Sequence, residues 1–196
     1  MCNLYVPPGY ERLGKPNLKH LWGPYVAPLK PGPYFKPGDA LEVGQWAMIP
    51  PDSPTRIPST KDGKKRLSTN NARREGLARS WTFGGPWRRG QRCLIPAETF
   101  DEPYYPNHDP KAKSIAWRFA RADGEPWMLA GLYAEWIDSD GVIFPSYTMI
   151  TQNCDGHPLL ALMHKPEVDK ETKEVLPADK QDKRSVVPIE RDRWDE

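Results

Sequence analysis

The sequence predicts an α+β fold with a strand-dominated core, on three observations. The chain has 196 residues, a length that suits one domain with a substantial buried core. It contains 23 prolines and 15 glycines, which favour turns and short elements over long helices. Several short segments show β-branched or aromatic alternation and are bounded by Gly, Pro or Asp. We therefore expect a single domain over residues 1–196, built of short strands and a few short helices.

Six strands are predicted from this alternation, and a seventh strand-like segment lies near the chain end. They cover residues 3–6, 43–49, 92–95, 114–120, 127–136, 146–151 and 185–189. Residues 7–39 carry Pro-Pro-Gly, Pro-Gly-Pro and Pro-Gly-Asp without a sustained period, so a long loop is predicted there.

Two helices and an insertion complete the predicted elements. One helix is expected over residues 71–79, with Asn70 or Asn71 as its N-cap and Glu75 in its first turn. A second, short helix is expected over residues 158–163. Residues 167–183 are charged and poor in apolar side chains, which predicts an exposed insertion.

Cysteine usage and apolar content indicate a reducing compartment and no membrane contact. The three cysteines, Cys2, Cys93 and Cys154, are an odd number without the spacing of a disulfide framework. The N-terminus lacks the basic flank and apolar stretch of a signal peptide, and no apolar run approaches the roughly 20 residues that span a bilayer. A soluble, cytoplasmic protein is expected.

The positive charge is concentrated in one segment, residues 56–93. This basic segment has eleven Lys or Arg residues against two acids, a net charge of +9, so the rest of a chain whose total is +2 carries −7. Trp81, Phe83 and Trp87 lie among these charges. Cations for phosphates and flat rings for unpaired bases are what a single-stranded nucleic-acid site needs. A solvated basic loop beside an acidic tail is the alternative interpretation.

Cys2 is the sharpest candidate for chemistry. Removal of Met1 would expose an α-amine and a thiol on one residue, and an α-amine with an ordinary pKa of about 7.7–8.0 is partly neutral at pH 7. Such a 1,2-aminothiol can condense with an aldehyde to an imine and then close a thiazolidine ring. It could equally act as an N-terminal nucleophile in a hydrolase, or Cys2 could pack as a small apolar residue.

The remaining candidates are proton-transfer groups. His157 and His164 flank a Pro-Leu-Leu-Ala-Leu-Met run, and either could relay protons near pH 7. The Cys154-x-x-His157 spacing lacks the second pair that a zinc site needs, so no metal is expected. Glu102 follows a predicted strand and could act as a general acid or base if partly buried.

Four blocks, followed by a fifth and looser one over residues 151–164, carry a resemblance to a known family. The four are Met1-Cys2-Asn3-Leu4-Tyr5, Gln45-Trp46-Ala47-Met48-Ile49-Pro50, Asn71-Ala72-Arg73-Arg74-Glu75, and Arg92-Cys93-Leu94-Ile95-Pro96-Ala97 with Phe100-Asp101-Glu102. In this order they resemble the SRAP family, the SOS response-associated peptidases or abasic-site processing proteins. The resemblance implies a barrel-like mixed sheet and a role in the response to DNA damage.

The resemblance also implies a catalytic site made of Cys2, Asn71, Glu102 and one histidine, without a cofactor. Cys2 would form a covalent thiazolidine link to abasic sites in single-stranded DNA after removing its own leading residue, the basis of the peptidase label. Asn71 would position Cys2 or the opened sugar. Glu102 and the histidine would move protons, with lyase-like chemistry as a further possibility.

For DNA binding, the resemblance implies contacts from Trp46, Arg73 and Arg74, with Trp46 stacking on a base. A monomer associated with the nucleoid is the expected state. Recognition by stacking and phosphate neutralisation suits a protein that tolerates any sequence.

The chain departs from the family pattern at three places. Thr99 replaces the glycine before Phe100, and Pro103 replaces the tryptophan after Glu102. The family's His-x-Arg-Met-Pro run is split, with His164-Lys165-Pro166 before the charged insertion and Lys183-Arg184-Ser185-Val186-Val187-Pro188 after it. On this split we choose His164 as the catalytic histidine, with His157 as the alternative.

Two other functions are compatible with the residues. An amide hydrolase of the N-terminal-cysteine type, such as a glutamine amidotransferase domain, would use Cys2 equally well but leaves the basic segment unexplained. A nucleic-acid-binding module without chemistry would leave Cys2 inert and Met1 in place.

Overall fold

The computed structural model describes residues 2–15, 18 and 21–194. Its strands are β1 Tyr5–Val6, β2 Pro31–Lys36, β3 Ala40–Trp46, β4 Asn71–Arg73, β5 Arg92–Ala97, β6 Thr99–Tyr104, β7 Ile115–Ala120, β8 Trp127–Ile137, β9 Ile143–Asn153 and β10 Arg184–Val186. The helical elements are α1 Gly84–Arg88 and the 3₁₀ helices Arg74–Arg79, Pro106–His108, Leu160–Leu162, Ala178–Lys180 and Arg191–Arg193.

Five strands close into a barrel in the order β9, β3, β2, β5 and β8, because β8 pairs with β9 to complete the circle. The β3–β9 contact is parallel, and the other four contacts are antiparallel. β4 and β10 are added to the end of β9, where β4 runs parallel and β10 antiparallel to it. A separate small sheet has the order β1, β6, β7. The short strands β4 and β10 thus meet at the same end of β9.

The alternation of side chains along the barrel strands divides the apolar residues into two clusters. One is the barrel interior, to which all five strands contribute: Tyr34, Trp46, Ile95, Leu129 and Tyr147. The other lies outside the barrel under α1, and its members include Ala72, Leu77, Leu132 and Ile150. Neighbouring residues on β9 therefore belong to different clusters, since successive side chains of a strand point to opposite faces.

The predicted α+β fold with a barrel-like mixed sheet is confirmed. Each of the seven predicted strand segments overlaps an observed strand, and the short helix expected over 158–163 is the 3₁₀ helix Leu160–Leu162. β3 ends earlier than predicted, at Trp46, because Ala47 has a φ of 144° and turns the chain away from the strand direction. No helix among the described residues is long and apolar enough to cross a membrane.

Two expectations about individual elements were wrong, one strand was not expected, and one expectation held only in part. The predicted loop over 7–39 contains β2, whose Gly32 lies so close to the hydroxyls of Tyr5 and Tyr147 that a Cβ would collide with them. β6 was not predicted. The predicted helix over 71–79 is instead the strand β4 followed by a 3₁₀ helix, because residues 71–73 pair with β9. Within the insertion, exposure is general, but Gln181 and Lys183 are buried.

Candidate active site

Cys2 is held by the first residue of β4 and by the residue before it. The Asn71 side chain donates a hydrogen bond to the Cys2 carbonyl at 2.7 Å, and Asn70 donates a longer one to the same oxygen at 3.4 Å. The Cys2 side chain is fully buried, and its Sγ donates to the Leu4 carbonyl at 3.3 Å. These contacts fix both the backbone and the thiol of Cys2 beside β4. Met1, whose removal the sequence predicts, lies outside the described residues.

Glu102 and His164 form a pair at the same site. Glu102 lies on β6 with 1% of its side chain exposed, and its Oε2 is 3.3 Å from Nε2 of His164. The same nitrogen is 2.8 Å from the carbonyl oxygen of Arg184. Because a carbonyl can only accept, we assign the proton to Nε2 of His164, which donates it to Arg184. The imidazole is thereby oriented with one edge against the carboxyl of Glu102.

The backbone of His164 is clamped from two sides. Its φ of 64° lies in the left-handed region, which is uncommon for a residue with a side chain. The His164 amide donates to the carbonyl of Pro103 at 2.6 Å, and the buried Lys183 donates from Nζ to the His164 carbonyl at 2.8 Å. Lys183 and Arg184 therefore hold His164 through its carbonyl and its ring, from the far end of the insertion.

Burial shifts the pKa of each titratable group at this site. It raises the pKa of Glu102 to about 7 and lowers the pKa of His164 to about 4. Burial, and after it the charge of Glu102, raises the pKa of the Cys2 thiol well above its ordinary value. At pH 7 the thiol and the imidazole are therefore neutral, and Glu102 is divided between its protonated and ionised forms. Glu102 is suited to give and take protons there.

His157 has a different environment. It is exposed, and its Nδ1 accepts the backbone amides of Leu159 at 3.2 Å and Leu160 at 3.0 Å. The ring thus closes the turn that leads into the 3₁₀ helix Leu160–Leu162. The structure places His164 against Glu102 and gives His157 the contacts of a turn residue.

Arg73 and Arg74 are both exposed at the end of β4. Arg73 forms an ion pair with Asp182 at 2.8 Å while its side chain remains 59% exposed. Arg74 lies 3.5 Å from the side-chain oxygen of Gln152. Strand alternation gives Asn71 and Arg73 the same direction, so Arg73 points to the side of β4 that holds Cys2. Both guanidinium groups are accessible to a phosphate.

Trp46 does not lie on the surface, where the resemblance implied that it would contact DNA. Its indole is completely buried, packs edge-on against Tyr5 with centroids 5.2 Å apart, and donates from Nε1 to the Asn70 carbonyl at 2.8 Å. The expectation that Trp46 stacks on a DNA base is therefore wrong, since no face of the ring is open. Trp46 instead supports Asn70, which contacts Cys2.

Four residues of the site's surroundings were missed: Asn70, Lys183, Arg184 and Trp117. The sequence predicts Asn70 only as a candidate helix cap, although its position directly before Asn71, the first residue of a matching block, is a signal of a second contact. Lys183 is the last residue of the insertion that splits the histidine run and Arg184 is the next one, and that position could have marked them as partners of His164. Nothing in the sequence pattern singled out Trp117, which pairs across the sheet with Glu102. Among the described residues, no group of three or more His, Cys, Asp or Glu side chains could hold a metal ion.

Comparison with known proteins finds a family model that matches the chain and solved structures that are similar to it. The model of the SOS response associated peptidase (SRAP) family matches residues 25–166, a range that holds Asn71, Glu102 and His164 and begins after Cys2. A solved protein from Bordetella bronchiseptica is 28% identical, with a TM-score of 0.75 over 99% of this chain and 86% of its own. No functionally curated protein matches the chain.

Two further solved structures share the fold at lower identity. A Bacteroides thetaiotaomicron protein is 15% identical, with a TM-score of 0.65 over 98% of this chain and 79% of its own. A phage-related protein from Bordetella bronchiseptica is 17% identical, with a TM-score of 0.52 over 97% of this chain and 95% of its own.

Proposed function

Because the chain belongs to the SOS response associated peptidase (SRAP) family, we propose that it binds single-stranded DNA and bonds covalently to abasic sites through Cys2. One observation carries this proposal. Asn71 donates to the Cys2 carbonyl, His164 contacts Glu102, and the charge of Glu102 raises the pKa of the buried Cys2 thiol, so four residues that are far apart in the sequence lie around one site. Family membership itself supports the coarser statement of a peptidase-like or DNA-processing role in the response to DNA damage.

The proposed reaction needs a free α-amine on Cys2. Hydrolysis of the Met1–Cys2 peptide bond consumes one water and releases methionine. The amine nitrogen then attacks the aldehyde carbon of the ring-opened sugar, and loss of one water from the adduct leaves an imine. Addition of Sγ to the imine carbon, with the thiol proton passing to nitrogen, closes a neutral thiazolidine. No oxidant or cofactor is required for the balance.

The residues around Cys2 suit these steps. The hydrogen bonds from Asn71 and Asn70 hold the Cys2 carbonyl and so keep Cys2 beside β4. The thiol is protonated at pH 7, so its proton must leave as the ring closes. Glu102, whose charge raises the pKa of this thiol and whose own pKa is about 7, is the group that we propose to relay it. His164 is neutral and hydrogen-bonded to Arg184, so it orients and partners Glu102 rather than supplying a positive charge.

Single-stranded DNA as the partner is supported by the basic segment and its exposed cations. Residues 56–93 carry a net charge of +9, and Arg73 and Arg74 project at the end of the strand that begins with Asn71. Phosphate contacts of this kind position a strand without reading its sequence. We propose a monomer that acts on DNA in the cytoplasm, at the nucleoid.

The test is to incubate the purified protein with single-stranded DNA that carries one abasic site. We expect an adduct that survives denaturation, and a protein mass that shows loss of Met1. Cys2→Ala should form no stable adduct, and Cys2→Ser should keep at most an imine that borohydride can trap. Cys93→Ala is the matched control, because Cys93 is a buried thiol inside the barrel. Full crosslinking by Cys2→Ala would overturn the proposal.

A further inference from the structure

The sheet register places a tryptophan directly beside the proposed catalytic acid. β6 and β7 are antiparallel, and Glu102 lies opposite Trp117, while Tyr104 lies opposite Ile115. Directly opposite residues of an antiparallel pair point to the same face, with Cβ atoms about 4.5–5.5 Å apart. Glu102, Tyr104, Ile115 and Trp117 therefore share one face of the small sheet.

Along this face the burial changes from core to solvent, with Glu102 at the boundary. Phe100, two residues before Glu102, is buried and stacks on Phe119 with centroids 5.2 Å apart. Trp117, directly opposite Glu102, is 38% exposed, and Ile115, one pair further from Phe100, is 52% exposed. We call the three residues Tyr104, Ile115 and Trp117 the Trp117 surface. It is an exposed apolar area directly beside the proposed catalytic carboxyl of Glu102.

The Trp117 surface is rigidly joined to the proposed active site. The rings of Tyr104 and Trp117 pack together with centroids 4.6 Å apart and a tilt of 32°. Tyr104 also pairs with Met163, the residue immediately before His164, and the amide of His164 donates to Pro103. The indole of Trp117 is thus held by a neighbour that is itself bonded to the His164 turn.

We propose that the Trp117 surface stacks the unpaired base that neighbours the abasic site. Stacked bases of one strand follow each other at roughly 3.4 Å along the helix axis, so the base next to an abasic sugar lies one stacking step away. A sugar that reacts at Cys2, beside Glu102, therefore has its neighbouring base within reach of Trp117. The missing base leaves that neighbour without its own stacking partner, and an indole face replaces the lost contact.

Charge favours DNA as the occupant of this surface. Lys111 and Lys113 are exposed just before β7, where they can meet the phosphates that flank the stacked base. The arrangement assigns to Trp117 the stacking role that the family resemblance implied for Trp46. It also explains how an aromatic ring is present beside Glu102 although Pro103 follows the acid. This inference rests on the proposed function, since it names a further contact of the same substrate.

The test compares adduct formation on abasic single-stranded DNA for four proteins: the unmodified chain, Trp117→Ala, Trp117→Phe and Trp136→Ala. We expect Trp117→Ala to raise the half-saturating DNA concentration about tenfold, equivalent to about 1.4 kcal/mol, and Trp117→Phe to restore most of the loss. Trp136→Ala is the control, because Trp136 also lies on a strand beside a second ring, that of Phe144. It should behave as the unmodified chain does.

Substrates without a neighbouring base provide the second arm. A tetrahydrofuran spacer on the side that the Trp117 surface serves should weaken the unmodified protein about tenfold and should not weaken Trp117→Ala further. 2-Deoxyribose 5-phosphate has no neighbouring base, so both proteins should react with it at equal rates. If Trp117→Ala also fails with the sugar phosphate, Trp117 supports Glu102 and does not bind a base, which overturns the inference.

The failure of this inference can be separated from the failure of the proposed function. If the unmodified protein crosslinks and Trp117→Ala does so equally well, the inference is wrong and the proposed function stands. If the unmodified protein forms no adduct with either substrate, the proposed function fails. The inference is then decided by fluorescence anisotropy with undamaged single-stranded DNA, where equal affinities of the unmodified protein and Trp117→Ala overturn it.

Discussion

The interior around Cys2 and the basic segment 56–93 are organised in opposite ways. Cys2 and Glu102 are buried, and His164 is fixed through its amide, its carbonyl and its ring. Arg73 and Arg74 are exposed, with a single polar side-chain partner described for each. The geometry of the buried site depends on each of these contacts, whereas the affinity of a charged surface for DNA is shared among many side chains. Single substitutions should therefore be severe in the interior and mild on the surface.

The largest effect is expected from Glu102 and His164, the proposed proton-transfer pair. A positioned acid or base contributes typically about 10²–10⁴-fold to a rate, so Glu102→Gln and His164→Ala should slow adduct formation by that order. DNA affinity should be unchanged in both, because neither side chain is part of the basic surface. Rates of adduct formation under single-turnover conditions measure the first quantity, and anisotropy measures the second.

Matched controls for this prediction are Glu98→Gln and His157→Ala. Glu98 is engaged by Arg12 at 2.8 Å, and His157 closes an exposed turn, so both variants should react normally. An impaired His157→Ala together with a normal His164→Ala would show that the histidines are assigned in the wrong order. Normal rates in all four variants would remove proton transfer by side chains from the mechanism.

Trp46→Ala distinguishes the two regions by its readout. Because the indole is fully buried, truncation should lower the free energy of unfolding by about 3–5 kcal/mol. The affinity for DNA, measured on the fraction that remains folded, should change little. Trp81→Ala is the surface counterpart, with 47% exposure, and its unfolding free energy should stay within about 0.5 kcal/mol of the unmodified value. A stable Trp46→Ala with weakened DNA binding would return Trp46 to the interface.

The shifted pKa values predict opposing pH effects on stability. The pKa of Glu102 rises from 4.5 to about 7 on folding, so the native state keeps a proton that the unfolded chain releases, and stability falls as pH rises through this window. The pKa of His164 falls from 6.5 to about 4, so the unfolded chain binds the extra proton, and stability is lost as pH falls from 6.5 to about 4. Between pH 4.5 and 6.5 the two contributions offset each other.

Single substitutions should separate the contributions of Glu102 and His164 to the pH dependence of stability. Relative to the unmodified protein, Glu102→Gln should gain stability with rising pH between 4.5 and 6.5, by about 1.4 kcal/mol per pH unit. His164→Ala should lose stability with a slope of similar size and opposite sign. Urea unfolding at several pH values gives both slopes. Parallel curves for the three proteins would show that these groups titrate alike in the folded and unfolded chain.

The smallest effect is expected from the surface. Arg73→Ala and Arg74→Ala should each weaken binding to single-stranded DNA and reduce the slope of log affinity against log salt by about 0.7. Reaction with 2-deoxyribose 5-phosphate should not change. Arg12→Ala is the matched control, because Arg12 is another partly exposed, ion-paired arginine outside the basic segment. Unaltered salt slopes in both β4 variants would move the DNA-binding surface elsewhere.

The interior also shows what could be predicted from the sequence. The ordered motifs named Cys2, Asn71, Glu102 and His164, and the structure brings these four together, although their roles stay predictions. Motifs succeed here because the chemistry restricts residue type and order. The choice of His164 over His157 rested on a split motif, and the contact with Glu102 supports it.

Exposure and strand pairing could not be predicted from local patterns in the same way. Trp46 is of a residue type that can stack on a base, but its burial depends on Tyr5 from a distant strand. The segment 71–79 has helix signals, and pairing with β9 overrides them for its first three residues. β2 was hidden by its Pro and Gly residues, whose place in the barrel is decided by neighbours from other parts of the chain. These outcomes depend on contacts between residues far apart in sequence.

The insertion between His164 and Lys183 is closed at its base, which makes it a suitable attachment point for a reporter. The Lys183 ammonium contacts the His164 carbonyl, and Gln181 bonds both ways with the backbone of Glu167, so the two ends of the loop meet whatever its length. The far end, around Lys173, is exposed. Lengthening a closed loop costs little free energy, since the entropic cost of closing it grows only with the logarithm of the number of residues. A fluorescent domain inserted near Lys173 would report the position of the protein and leave the contacts that hold His164 intact.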